Sequence, residues 1–208
     1  MSKNIAVLVS GGGTNLQALI DAQGRGEIVN GSITAVISSS PDAFALERAK
    51  KAGIPGYVLD RSAYESNQAM TVALVDKLHE LNIDLVVLAG FMTILTSEMV
   101  RAFPNAILNI HPALIPSFCG PGCYGLHVHE KALAYGVKLS GATVHFVSEE
   151  CDGGPIVMQK SVDVLPDDTP EVLQRRIMEN FEWKLLPQAV SLFCQDRLKV
   201  EGRRVRIL

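Results

Sequence analysis

The chain has 208 residues, of which 48% are hydrophobic, 20% charged and 6% aromatic. This composition predicts one globular domain with a sizeable core and argues against disorder. The formal net charge is −3, and lysines and arginines are scattered, so we expect no nucleic-acid partner. The one basic cluster, at 203–206, is interpreted as a solvated terminus.

The N-terminal part goes almost at once into an apolar run at 5–9, with no long apolar segment preceded by positive charge. We therefore expect no signal peptide, no membrane span and a cytoplasmic location. Cys119 and Cys123 form a close pair, but Cys151 and Cys194 show no paired spacing. A zinc site needs three or four ligands, so the prediction is reduced thiols and no metal.

Short β-rich apolar runs alternate with helical patterns along the chain. The predicted strands are 4–9, 32–38, 56–59, 83–88, 106–109, 141–147 and 155–164, and the predicted helices are 15–23, 43–52, 69–81, 97–102, 126–135 and 170–193. Continuous apolar strands such as 84–88 indicate burial on both faces, which is typical of parallel sheets covered by helices. The predicted fold is therefore α/β, with a doubly wound, mostly parallel sheet of about seven strands in a single domain over 1–208.

A glycine-rich loop, Ser10-Gly11-Gly12-Gly13-Thr14-Asn15, joins the first strand to the first helix. Glycines let the backbone approach a ligand at a helix N-terminus, an arrangement that binds phosphate. The loop lacks the Gly-Lys-Ser/Thr ending of nucleoside triphosphatases, and Leu16 stands where the dinucleotide fingerprint has its third glycine. A nucleoside monophosphate or phosphosugar remains, and the alternative is a tight turn in which Thr14 or Asn15 only caps the helix.

Asn109-Ile110-His111-Pro112 ends the fifth predicted strand. Side chains at i and i+2 of a strand point to the same side, so Asn109 and His111 share one face at the carboxyl edge, where α/β sheets bind ligands. An amide donor beside a titratable ring suits chemistry at a carbonyl group. The alternative is a structural asparagine and a buried core histidine.

The turn Glu149-Glu150-Cys151-Asp152-Gly153-Gly154 carries three carboxylates between the last two predicted strands. Asp152, just before the glycine pair, could reach back towards His111 and raise the pKa of its imidazole, keeping it protonated. Taken alone, such an aspartate is more often a turn former.

Four motifs in order resemble those of one known family: 10–17 (Ser-Gly-Gly-Gly-Thr-Asn-Leu-Gln), 88–92 (Leu-Ala-Gly-Phe-Met), 109–116 (Asn-Ile-His-Pro-Ala-Leu-Ile-Pro) and 152–156 (Asp-Gly-Gly-Pro-Ile). The chain is similar to the phosphoribosylglycinamide formyltransferases over about 4–193. The resemblance implies a Rossmann-like formyltransferase fold. It also implies transfer of the formyl group of 10-formyltetrahydrofolate, the co-substrate, to the amine of glycinamide ribonucleotide (GAR) in purine biosynthesis.

The resemblance also implies roles for individual residues. Asn109, His111 and Asp152 match the catalytic residues, and Glu182 matches, less closely, the acid that contacts the GAR amine. The 1–110 half is expected to bind the phosphate and the 111–208 half the folate. The residues expected at the GAR phosphate are Gly12, Gly13, Thr14 and Asn15. Those expected at the folate are Met92, Thr93, Ile94, Leu95 and Asn109.

Three features depart from the family's usual pattern. Thr93 and Asn67 stand where basic residues are common, Ala113 replaces a serine, and the segment 117–124 is longer than expected. These departures bear on the folate tail and on one wall of the pocket. We expect His127 and His129, near a helix start, to be surface or wall residues.

Other functions share parts of these motifs. Methionyl-tRNA formyltransferase and formyltetrahydrofolate hydrolase share the Asn-x-His-Pro core, but each has an additional domain for which 208 residues leave no room. A catalytically silent nucleotide sensor would keep the glycine loop without needing both His111 and Asp152. The partners we expect are therefore two small molecules, GAR and the folate, bound by a monomer or weak homodimer without membrane contact.

Overall fold

A computed structural model describes residues 2–208, and nine strands form one sheet in the order β3-β2-β1-β4-β5-β6-β7-β9-β8. The strands are β1 (Lys3–Val9), β2 (Gly31–Ser38), β3 (Gly56–Val58), β4 (Leu85–Leu88), β5 (Ile107–His111), β6 (Leu139–Phe146), β7 (Ile156–Asp163), β8 (Leu198–Glu201) and β9 (Arg204–Ile207). The helices are α1 (Thr14–Gly24), α2 (Phe44–Lys51), α3 (Asn67–Glu80), α4 (Ser97–Ala102), α5 (Leu126–Tyr135), α6 (Pro170–Ile177) and α7 (Trp183–Cys194).

The first five strands are parallel, as the apolar runs predict. Side chains of β1 alternate between two cores: Ile5, Val7 and Val9 pack on one face, and Ala6 and Leu8 on the other. All five are fully buried, which a strand attains only when helices cover both faces of the sheet. The α/β, doubly wound prediction is confirmed.

The second half of the sheet changes direction. β6 runs antiparallel to β5 and to β7, and β9 returns parallel to β7. β8 and β9 form a hairpin that adds two strands to the seven the sequence predicts. Its residues 203–206 were expected to be a solvated terminus, but Arg204–Ile207 is strand β9. The alternation of arginine with Val205 and Ile207 is a strand pattern.

The predicted helix 170–193 is two helices joined by one π-helical turn, Met178–Glu182. A π turn inserts an extra residue into a helix, and such turns are frequent at functional sites. The extra residue shifts which side chains face the sheet, and Glu182 is buried as a result. Hydrophobic periodicity alone does not reveal the shift. None of the helices in residues 2–208 is long and apolar enough to cross a membrane.

The pairing of β6 with β7 requires a glycine at position 141. A Cβ atom there would lie 2.0 Å from the carbonyl oxygen of Lys160 on the neighbouring strand. We expect Gly141→Ala to lower the free energy of unfolding in urea by about 3 kcal/mol or more, because backbone must move to relieve the overlap. The control is Gly24→Ala in α1, where an added Cβ contacts nothing within 4 Å. Equal stability of the two variants would contradict the strand pairing.

Candidate active site

Asn109 and His111 lie at the carboxyl end of β5, two residues apart on the same side of the strand. The antiparallel neighbour β6 places His145 opposite Asn109 and Thr143 opposite His111. His111 is buried and Asn109 is half-buried. Two neighbouring strands therefore present four polar side chains at one edge of the sheet.

Asp152 reaches these side chains from the turn between β6 and β7. Its Oδ2 lies 3.7 Å from His111 Nδ1, and its Oδ1 lies 3.4 Å from Asn109 Nδ2. The turn takes Asp152 to a φ of +54°, a left-handed conformation that aspartate tolerates better than most residues. Gly154 cannot be larger, because its Cβ would lie 1.8 Å from the Phe146 carbonyl oxygen. The Asp152-Gly-Gly sequence therefore brings the carboxylate over the strand ends.

His145 is a site residue that the sequence reasoning missed. Its Nε2 lies 3.6 Å from Asp152 Oδ1 and 3.1 Å from Asn109 Nδ2, and its Nδ1 lies 2.8 Å from the Phe146 carbonyl oxygen. Because a carbonyl only accepts, Nδ1 carries a proton, and in the neutral ring Nε2 accepts from Asn109. The alternation of Thr143 and His145 along β6, opposite Asn109 and His111, is the signal that could have identified it.

The pKa of His111 differs from the expectation. Burial lowers the pKa of this imidazole, and although Asp152 and the Phe118 carbonyl act in the opposite direction, the pKa stays below its ordinary value. His111 Nε2 donates a hydrogen bond of 2.8 Å to that carbonyl. The prediction that Asp152 keeps His111 protonated is therefore wrong for the free protein, because desolvation outweighs the charge of Asp152.

Asp152 itself remains ionised. Burial raises the pKa of its carboxyl group, but the neighbouring His145 and His111 and the hydrogen bond from the Gly120 amide together lower it below the ordinary value. The Gly120 N–H donates to Oδ2 at 2.8 Å. The anionic carboxylate thus accepts hydrogen bonds from β5 and from the loop that follows β5, and it lies beside His145 of β6.

The long segment 117–124 covers this group of residues. Phe118 supplies the carbonyl bonded to His111, and Gly120 supplies the amide bonded to Asp152. Cys119 Sγ donates to the Pro116 carbonyl, and the Lys131 ammonium lies 3.2 Å from Cys123 Sγ. All four cysteines are free, and residues 2–208 contain no group of three or more histidine, cysteine or acidic side chains placed to hold a metal ion.

The glycine-rich loop lies at the same edge of the sheet, where β1 leads into α1. Gly13 has a φ of +71°, and a Cβ there would lie 2.6 Å from Ala45 Cβ. No side chain of the described residues caps the N-terminus of α1, so its first N–H groups remain available to an anion. Arg48 Nε holds the loop by donating to the Gly12 carbonyl at 2.8 Å. The capping alternative for Thr14 or Asn15 therefore lacks the hydrogen bond it requires.

Asn15 points away from the N-terminus of its helix, towards Glu182. Its Nδ2 donates to Glu182 Oε2 at 2.7 Å, and its Oδ1 has no partner among the described residues. Burial raises the pKa of Glu182, although the hydrogen bond from Asn15 opposes that shift. The π turn thus joins a carboxyl group of the last helical segment to the glycine-rich loop.

The segment Met92 to Leu95 follows β4 at the adjacent strand end. Met92 and Ile94 are 52% and 63% exposed, which is unusual for large apolar side chains. Thr93 and Leu95 are half-buried beside them. The structure thus brings the catalytic, phosphate and folate candidates to one edge of the sheet and leaves this apolar segment open there.

The family model described as formyl transferase matches residues 3–190. The chain belongs to the formyl transferase family. Within that family it belongs with the phosphoribosylglycinamide formyltransferases. The one from Haemophilus influenzae is 43% identical over 199 residues, 96% of this chain and 91% of that protein. The one from Escherichia coli is 42% identical over 197 residues, 95% of this chain and 90% of that protein.

Solved structures of formyl transferases agree with this assignment. Glycinamide ribonucleotide transformylase 1 from Symbiobacterium toebii superposes with a TM-score of 0.93 at 47% identity, covering 100% of this chain and 94% of that one. A formyltetrahydrofolate deformylase from Pseudomonas syringae shares the fold with a TM-score of 0.88 at 26% identity, covering all of this chain but 66% of that one. The higher identity lies with the transformylases.

His129 in α5 is a buried histidine whose effect on stability can be measured as a function of pH. It is fully buried in α5, not at the surface or in a pocket wall as expected, and burial followed by the effect of His111 lowers its pKa from 6.5 to about 4. An unfolded chain protonates this residue below about pH 6.5, whereas the folded chain keeps it neutral down to about 4. The stability that His129 contributes by staying neutral is therefore fully present above pH 6.5 and is lost as the pH falls towards 4.

Urea unfolding at pH 7 and pH 5 measures this effect. We expect wild type to lose about 1–2 kcal/mol more than His129→Gln over that interval, because the variant has no imidazole to protonate. An equal loss in the two proteins would show that His129 does not carry the pH dependence.

Proposed function

We propose that Asn109, His111 and Asp152 carry out in this chain the reaction of its family. That reaction transfers the formyl group of 10-formyltetrahydrofolate, the co-substrate, to the primary amine of GAR. It yields formyl-GAR and tetrahydrofolate in purine biosynthesis. The observation that supports the assignment is the convergence of three polar side chains on the Asp152 carboxylate, at the sheet edge that holds the open N-terminus of α1. Formyl transfer to GAR, followed as the absorbance change on folate deformylation, tests it.

The reaction needs groups that stabilise negative charge on the formyl oxygen and a path for one proton from the attacking amine to the folate. The uncharged glycyl nitrogen attacks the formyl carbon, and negative charge builds on the formyl oxygen. The bond between that carbon and N10 of the folate then breaks, while one proton leaves the attacking nitrogen and one reaches N10. This sequence balances without a metal or a covalent enzyme intermediate.

His111 is the proposed donor to the formyl oxygen. Its Nε2–H already donates to the Phe118 carbonyl at 2.8 Å, so the formyl oxygen would replace one oxygen acceptor with another. This donor exists whether the ring is neutral or protonated, so the lowered pKa of the free protein does not prevent it. A donor of this kind typically contributes on the order of 100-fold in rate.

Asn109 is the proposed second donor. Both hydrogens of its Nδ2 are directed to acceptors, His145 Nε2 at 3.1 Å and Asp152 Oδ1 at 3.4 Å. The contact with Asp152 is the longer and therefore the weaker of the two. We propose that this N–H turns to the formyl oxygen when the folate binds, while His145 keeps the amide in place.

Asp152 is the proposed proton relay. It is ionised, and its carboxylate lies 3.7 Å from His111 Nδ1. As charge builds on the formyl oxygen, the ionised Asp152 favours transient transfer of the proton that the attacking amine releases to His111 Nδ1, from which the same proton then returns towards N10. Acting through water, the same carboxylate can take the proton of the attacking amine and pass it to N10.

The proposed GAR site uses the glycine-rich loop and Glu182. The backbone N–H groups of Gly12, Gly13, Thr14 and Asn15 would bind the phosphate at the N-terminus of α1, which favours an anion. Glu182, hydrogen-bonded to Asn15, would contact the glycyl amine at the other end of the ligand. The apolar segment of Met92, Thr93, Ile94 and Leu95 would line the folate pocket.

Several broader expectations stay predictions. They are the single domain over 1–208, the partition of phosphate and folate binding between its halves, the cytoplasmic location and the monomer or weak homodimer. The segment 92–95 precedes residue 111, so the proposed folate site draws on both halves. The net charge of −3 supports small-molecule partners over nucleic acid.

The first test of this proposal replaces catalytic side chains. We expect His111→Ala and Asp152→Asn each to lower kcat by at least about 100-fold, because each removes a donor or a charge at the formyl group. GAR affinity, measured by calorimetry, should stay within about twofold, since a twofold change is well under 1 kcal/mol. His127→Gln is the matched control, because His127 lies exposed on α5 and contacts Glu130. Full activity of either catalytic variant would refute the assigned roles.

A second test concerns the phosphate. Gly13→Ala places a Cβ against Ala45 at a left-handed φ, so the loop must deform. We expect GAR to bind at least about tenfold more weakly, which corresponds to about 1.4 kcal/mol. The control is Gly11→Ala, where an added Cβ contacts nothing within 4 Å. Unchanged GAR affinity in Gly13→Ala, or a GAR complex with its phosphate elsewhere, would contradict this site.

A further inference from the structure

Ser10 lies between the phosphate loop (Gly12 to Asn15) and the folate segment (Met92 to Leu95). It contacts the residues that follow β2 and β4, the two strands on either side of β1. It follows β1 and precedes Gly11. Its hydroxyl oxygen accepts a hydrogen bond from the Met92 amide at 2.8 Å and lies 2.6 Å from the Ser39 hydroxyl oxygen. Met92 follows β4, and Ser39 follows β2. One hydroxyl group thus joins the carboxyl ends of three neighbouring strands.

We propose that Ser10 is a positioning residue that sets the distance between the two bound substrates. The inference rests on the proposed function, because it takes the loop after Ser10 as the GAR-phosphate site and the segment beginning at Met92 as part of the folate site. Ser10 touches neither reacting group. It acts by fixing one binding segment against the other.

Two hydrogen bonds attach Ser10 to the folate segment, and both are needed to fix its orientation. The Ser10 amide donates to the Gly90 carbonyl at 3.1 Å, and the Met92 amide donates to the Ser10 hydroxyl at 2.8 Å. Gly90 has a φ of +76°, so the chain turns sharply between these two contacts. Without the hydroxyl, the contacts that hold this turn to β1 all lie before Met92, from the Ala89 amide to the Leu8 carbonyl and from the Ser10 amide to the Gly90 carbonyl, so Met92 itself loses its anchor.

The Ser39 side of the contact is rigid. Ser39 is 9% exposed, and its amide donates to the Val9 carbonyl at 3.1 Å, so its position is set by the pairing of β1 with β2. The pair of hydroxyl groups therefore presents a fixed acceptor to Met92. A hydroxyl that can donate to Ser39 while accepting from Met92 satisfies both contacts at once, which alanine cannot do.

The reaction is sensitive to such positioning. Attack requires the amine nitrogen and the formyl carbon to approach within about 3–3.5 Å, and a misplacement of about 1 Å can cost on the order of 100-fold in rate. In the proposed site, the backbone from Gly12 to Asn15 locates GAR, and the segment that starts at Met92 locates the folate. The Ser10 hydroxyl is the side-chain link between the two.

Steady-state kinetics of Ser10→Ala test the inference. We expect kcat to fall about five- to tenfold, because the reacting atoms would be partly misplaced. The Kd of GAR should stay within about twofold, because the phosphate is bound by backbone groups after Ser10. The thermal unfolding midpoint should shift by no more than about 6 °C, as expected for loss of the two hydrogen bonds to Met92 and Ser39 at a partly exposed position. A purely structural role would instead change the midpoint and both substrate affinities together.

Two further variants complete the design. Ser39→Ala keeps the Met92 contact with Ser10 and should lower kcat by less than Ser10→Ala does. Ser140→Ala is the matched control, because Ser140 is buried in β6 and its hydroxyl has no partner among the described residues. It should retain wild-type kcat.

The outcomes separate this inference from the function itself. Wild-type protein that does not formylate GAR would refute the proposed function. Active wild type with a Ser10→Ala kcat within twofold of its own would refute the positioning role alone. A fall in kcat that is matched by weaker GAR binding and a lower unfolding midpoint would also overturn it, because the loss would then be one of folding.

Discussion

The Asp152 carboxylate is the constraint on which the arrangement of the site depends. It is an anion in a largely buried position, and removing a charge from water is costly unless polar groups surround it. Two segments supply donors to it, β5 through the Asn109 amide and the loop after β5 through the Gly120 amide, and the imidazoles of His111 and His145 lie 3.7 and 3.6 Å away. The antiparallel pairing of β6 with β5 places His145 beside Asn109 and next to this anion.

Local patterns predicted much of this structure. The buried parallel strands follow from their apolar runs, and the shared face of Asn109 and His111 follows from the strand period of two. Phosphate binding at the glycine-rich loop was predicted because the free N–H groups of a helix N-terminus that follows a strand bind anions. The Asp152 contact was suggested by the Gly-Gly pair that follows it, but the family resemblance was needed to choose it over a simple turn.

The features that escaped prediction are those set by packing between distant segments. His145 looks like an ordinary strand residue until β6 is known to pair with β5, 36 residues away at this contact. The π turn before α7 leaves no mark on hydrophobic periodicity, yet it determines that Glu182 faces Asn15. The charge of His111 was predicted from its partner Asp152, whereas burial, which depends on the whole fold, has the larger effect.

The protonation of His111 in the free protein depends on burial, which lowers its pKa, and on Asp152, which raises it. The balance between these two effects changes during the reaction. Both ring nitrogens face oxygen acceptors, the Phe118 carbonyl and the Asp152 carboxylate, but burial disfavours the doubly protonated ring. If a formyl oxygen replaces the Phe118 carbonyl, the acceptor at Nε2 gains negative charge only as the amine attacks. The electrostatic gain from protonating His111 then grows along the reaction and is small before it, so the site stabilises the transition state more than the bound substrates.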